Sequence, residues 1–100
     1  MIIEVPAISD MDGIFGYIAN ILKEPGIAGH IYKSIESAIF SLRQFPMRHA
    51  VIEDEPFFSN NIRKMPVENY IVFYTVDNIS KKIHILRVIH SRRDLQSSFI

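Results

Sequence analysis

Tyr70–Val76 and Ile83–Ile89 are two runs dense in Ile, Val, Tyr and Phe, separated by the polar stretch Asp77–Lys81, which opens on Asp77-Asn78. β-Branched and aromatic residues fit a pleated, half-buried surface, and a connection of that length suits a hairpin. The pair therefore commits the C-terminal half of the chain to an antiparallel sheet. Side-chain period two places Tyr70, Val72, Tyr74 and Val76 on one face of the first strand and Ile71 and Phe73 on the other. In the second strand it groups Ile83, Ile85, Arg87 and Ile89, with His84, Leu86, Val88 and His90 opposite. Arg87 is then the lone charge on an aliphatic face. Its simplest reading is a sheet-rim cation paired with a carboxylate, Asp94 or Glu68. More cations gather at the borders of the hairpin: Arg63 and Lys64 just before it, His90, Arg92 and Arg93 just after it. Closure of the hairpin predicts that these two groups converge.

Upstream the period changes. From Ala7 to Lys23, Ile8, Met11, Phe15, Ile18 and Leu22 recur at helical steps, with Ile14 and Ile21 widening the stripe. Pro6 suits a first helical turn, and Asp10 and Asp12 fall where a helix N-terminus favours anions. Glu24-Pro25-Gly26 stops that helix. A second helix is expected from about Ile27 to Phe45, carrying Ile27, Ile31, Ile35, Ala38, Ile39 and Leu42 on one face and ending at Pro46. So short a connection implies an antiparallel helical hairpin. Met1–Val5 reads as a short strand. Pro46 to Asn61 reads as a loop, with the acidic run Glu53-Asp54-Glu55 and with Phe57 and Phe58 tucked inward. A short strand near Ile62–Met65 and a turn at Pro66 complete the order β-α-α-β-β-β, with Leu95–Ile100 as a short turn or frayed tail. Helices grouped before strands argue an α+β fold, the helical hairpin packed on a small antiparallel sheet.

One hundred residues, 48% of them apolar, are expected to form a single domain spanning 1–100. No cysteine is present, so disulfides and thiolate metal sites are excluded. No run reaches the ~20 apolar residues that span a bilayer, and no basic segment precedes an apolar one at the N-terminus. A cytoplasmic protein without membrane contact is expected. The net charge is zero, yet residues 1–60 hold four Lys/Arg against eight Asp/Glu, while residues 61–100 hold seven against three. The C-terminal half thus suits an anionic or acidic partner.

Histidine beside fixed cations has the inventory for cleaving RNA, moving a proton while guanidinium groups stabilise a pentavalent phosphate. His90, with Arg87 and Arg63, is the catalytic candidate set under that reading. Lys64, Arg92, Arg93 and Tyr74 are the candidates for target binding. His30, His49 and His84 lack companions at metal-ligand spacing, and no Gly-rich phosphate loop occurs, so neither a metal nor a cofactor is expected.

The element order, together with Ile62-Arg63-Lys64, Asn69-Tyr70-Ile71-Val72-Phe73-Tyr74 and Ile85-Leu86-Arg87-Val88-Ile89-His90-Ser91-Arg92-Arg93-Asp94, resembles the RelE/ParE superfamily of bacterial toxins. Asp12–Ile21 is similar to its first helix and Ala38–Pro46 to the end of its second. The resemblance implies the toxin of a type II toxin–antitoxin pair, a plasmid-stabilisation module. A cognate antitoxin would hold it inactive in a hetero-oligomer. RelE-like members cut mRNA on the ribosome, whereas ParE-like members poison DNA gyrase. RelE-like members tend to carry an arginine where this chain has Ile71, and they are strongly basic, as affinity for RNA phosphate requires. The ending from Arg87 to Asp94 is closer to the ParE pattern. The resemblance therefore implies gyrase inhibition, with RelE-like ribosome-dependent mRNA cleavage as the alternative.

Overall fold

The computed structural model describes residues 1–93. Asp94 and the tail Leu95–Ile100, to which an ion pair and a short turn were assigned from sequence, lie outside the described residues. The elements run β1 (Ile2–Ile3), α1 (Val5–Gly16), α2 (Pro25–Ser41), β2 (Arg63–Val67), β3 (Tyr70–Val76) and β4 (Ile83–His90), in the expected order. They form an α+β fold in which both helices lie on one sheet of strand order β1-β4-β3-β2. Strands β2, β3 and β4 are antiparallel as expected. The sheet is nonetheless mixed, because β1 pairs parallel with β4 through Ile2–His84 and Ile3–Ile85. The chain leaves β1 straight into α1 and returns to the sheet only at β2, so nothing requires β1 to reverse direction. Among the described residues no helix is long and apolar enough to cross a membrane.

Helix α1 begins earlier than its sequence stripe, at Val5, with Pro6 in its first turn. Its first turn holds no acid, so Asp10 does not serve the helix N-terminus and is free for another task. Past Gly16 the helix widens into a π turn, Tyr17–Ile21, and ends at Lys23 in the left-handed region (φ 56°). The stripe is only half used. Met11 and Ile18 are buried, but Ile8, Phe15 and Leu22 are 46%, 40% and 52% exposed. The apolar arc of α1 is broader than the sheet and α2 can cover. Helix α2 buries Ile35 and Ile39 of its expected ladder together with Ala28, and Leu42 just past its end is buried too, while Ile27 stays exposed.

Pro66 does not form a turn. It lies inside β2, where it pairs with Ile71. β2 is a sheet edge, which tolerates a residue that cannot donate on its outer side. The reversal falls instead at Glu68-Asn69, Glu68 taking a positive φ of 55°. In β3 the two faces follow the expected alternation. In β4 they do not: Phe73 pairs with Arg87 while Tyr74 pairs with Ile85, so Leu86 is an extra residue in a β-bulge. A bulge shifts the alternation by one. Ile83, Ile85 and then Val88 join the helix-facing core, whereas Leu86 and Ile89 face the other side. That other side is a second core of Ile52, Phe57, Ile62, Phe73 and Ile89, roofed by the 42–62 loop. Phe57 tucks in, and Phe58 remains 54% exposed.

Candidate functional site

The cationic residues singled out from sequence do not meet at one place. Arg63 is opposite Tyr74 on β3, while His90 is opposite Tyr70, four residues further along the same strand. At ~3.4 Å per residue that is roughly 14 Å. The expected convergence fails because β2 and β4 both run antiparallel to β3: the residue that enters β2 and the one that ends β4 therefore meet opposite ends of it.

At the Tyr74 end the polar groups hold the loop. Arg63 Nη1 donates to the His49 carbonyl at 2.6 Å and to the Met47 carbonyl at 3.3 Å. The Tyr74 hydroxyl donates to the Pro46 carbonyl at 2.8 Å, and its ring is fully buried, so Tyr74 cannot touch a target as its sequence position suggested. Burial pushes its phenol pKa up. Arg48 donates to the Ser41 hydroxyl and to His49 Nε2. Burial first, and the Arg48 charge second, hold the His49 pKa below its ordinary value. Lys64 is exposed, in register with Phe73 and, one strand beyond, Arg87.

Arg87 is paired with a carboxylate, and the one the described residues supply is Asp10 rather than Glu68. Its Nε and Nη2 donate to Asp10 at 2.7 and 2.9 Å, a bidentate grip across 77 residues of sequence. Asp10 Oδ2 also accepts the Val88 amide at 2.9 Å. Donating these hydrogen bonds to Asp10 raises the Arg87 pKa further. Glu68 lies 3.7 Å from His30 instead. The bulge at Leu86 sits just before this point, so α1 clamps β4 where its ladder is irregular.

Beyond the clamp lies a cleft of about 510 Å³ between α1 and the end of β4. Ser9, Asp10, Gly13, Ile14 and Tyr17 line the helix side, and Tyr70, Val88, Ile89, His90 and Arg93 the sheet side. The rings of Tyr70 and His90 meet edge to face at 5.3 Å. Burial, and the neighbouring Tyr17 hydroxyl after it, push the Tyr70 pKa up. His90 Nδ1 accepts the Arg92 amide at 3.1 Å, which leaves the ring proton on Nε2. Arg92 and Arg93 are exposed. Of the residues that line the cleft, the sequence singled out only His90 and Arg93 as site candidates. Asp10 and Tyr17 were missed, since their partners sit on a strand at the other end of the chain.

A family model for the ParE toxin of the type II toxin–antitoxin system parDE matches residues 1–95. The chain belongs to the ParE toxin family. No curated protein matches its sequence. A solved structure of the chromosomal ParDE toxin–antitoxin system from P. aeruginosa superposes with a TM-score of 0.70, at 23% identity, covering 88% of this chain and 90% of that one. At that identity the likeness extends to the fold. This ParE-family chain keeps the family's order of strands and helices and is a type II toxin–antitoxin toxin, on the ParE rather than the RelE side of the superfamily.

Proposed function

We propose that the protein is a growth-inhibiting toxin that acts by binding DNA gyrase, not by cleaving RNA, and that a cognate antitoxin neutralises it. The observation that carries this reading is the dispersal of the ribonuclease set. Arg87 is bound to Asp10, Arg63 is bound to loop carbonyls, and His90 stands roughly 14 Å along β3 from Arg63. A general acid or base must reach the proton it moves while the stabilising cations reach the same phosphate, and here they are apart. A binder needs only exposed contacts, which Lys64, Arg92 and Arg93 supply. The half-empty apolar arc of the helical hairpin, with Ile8, Phe15, Leu22 and Ile27 exposed, suits an amphipathic antitoxin segment. Its acidic residues would complement the cationic C-terminal half.

Purified protein is expected to inhibit gyrase supercoiling and to leave ribosome-bound mRNA intact. Lys64→Ala with Arg92→Ala is expected to lower the inhibition. Cleavage of mRNA that His90→Ala removes would overturn the reading in favour of the ribonuclease. Co-expression of a neighbouring short reading frame that gave no complex and no relief of growth arrest would sink the antitoxin part.

A further inference from the structure

We propose that the cleft between α1 and the end of β4 binds a phosphorylated nucleoside, with the base against Tyr17 and Tyr70 and the phosphate at Arg93. The argument begins with the balance of donors and acceptors. Among the described residues Asp10 is the only carboxylate lining the cleft, and Arg87 and the Val88 amide already occupy its oxygens. The remaining side-chain groups are the Arg93 guanidinium, the His90 Nε2 proton and the hydroxyls of Ser9, Tyr17 and Tyr70. Arg93 has no acidic partner among the described residues. A cleft whose acceptor is spent and whose donors are unspent selects an anion.

Size and shape narrow the anion. A volume of about 510 Å³ lies within the range of small-molecule sites and far exceeds what one inorganic phosphate fills. Tyr17, Tyr70 and His90 supply three aromatic rings, on which any base can stack because every base has a π-face. Gly13 lies on the helix wall, and a Cβ there would meet nothing within 4 Å, so the wall is open to a flat ring. A long nucleic acid fits less well, since the chain carries no net charge and Asp12 is exposed on the neighbouring turn of α1. The shared chemistry is one base, one sugar and one phosphate, either free or at the end of a strand. This site is separate from the apolar hairpin face and does not depend on gyrase as the target.

Calorimetric or NMR titration of the full-length protein tests the assignment with adenosine 5′-monophosphate, adenosine, inorganic phosphate and a short single strand ending in a phosphate. The nucleotide is expected to bind at least roughly tenfold more tightly than adenosine or phosphate alone. Arg93→Gln should erase the difference between nucleotide and nucleoside, and Tyr17→Ala should weaken both. Each residue is exposed, so both variants should fold as the wild type does, which circular dichroism checks. Binding of the strand but not of the free nucleotide identifies a strand end as the source. Absence of binding by all probes at millimolar concentration, or binding that neither substitution changes, overturns the proposal.

Discussion

At the Tyr74 end of β3, a tyrosine, a histidine and two arginines are bound to one another and to loop carbonyls, with the tyrosine ring fully buried. At the Tyr70 end, four residues away, two tyrosines, a histidine and an arginine border an open cleft. The residue types are the same and their uses are opposite. The difference is what lies over each end of the strand. The 42–62 loop closes over the first and offers its carbonyls as acceptors. The second faces α1, whose one acidic side chain there is consumed by Arg87. Identical chemistry becomes scaffold where acceptors surround it and a candidate site where they are spent elsewhere.

The clamp between the two ends gives the largest test. Asp10→Ala would take the carboxylate from a mostly buried guanidinium and from an amide together, and loss of about 3 kcal/mol of stability is expected in urea denaturation. An Asp10→Ala/Arg87→Ala double variant should recover part of that loss. If Asp10→Ala costs nothing, α1 does not fix the Tyr70 end, and the contrast with the rigid end fails.

At the rigid end, Tyr74→Phe removes the bond to the Pro46 carbonyl and should cost about 1 kcal/mol. The same change at Tyr70, whose hydroxyl has no partner among the described residues, should cost less. Equal costs would erase the distinction between bound and available hydroxyls.

A pH profile sharpens the comparison. Burial and the Arg48 charge hold the His49 pKa below its ordinary 6.5 in the folded state, so the unfolded chain binds that proton more readily. Its contribution is therefore whole above pH 6.5 and declines as pH falls through 6.5 toward the lower folded value. Replacing His49 by Gln should flatten that part of the stability curve. A profile unchanged by the substitution would show that the Arg48–His49 contact carries no linkage.

The smallest effect on stability is expected at the open end. Arg92→Ala should shift it by no more than about 0.5 kcal/mol, because the side chain is exposed and away from any core feature, while under the proposed function gyrase inhibition falls. A large loss of stability would make Arg92 a scaffold residue like Arg63.

The two amphipathic ladders, the proline stops and the alternating strands made the element order readable from residues near one another in sequence. So was the burial of Ile35, Ile39 and Leu42, since a helical period needs no knowledge of what covers it. The faces of β3 were equally legible, because its alternation is unbroken. The β4 faces were not: one extra residue at Leu86 inverts them, and a bulge leaves no mark in a run of aliphatic residues. Nor could the sequence tell which of its cations were free. Arg63 carries the same charge whether it binds a loop carbonyl or a target, and the acid that holds Arg87 comes from a helix 77 residues away. Local periodicity determined the elements, while hydrogen-bond supply, set by which distant segments meet, was decided only in three dimensions.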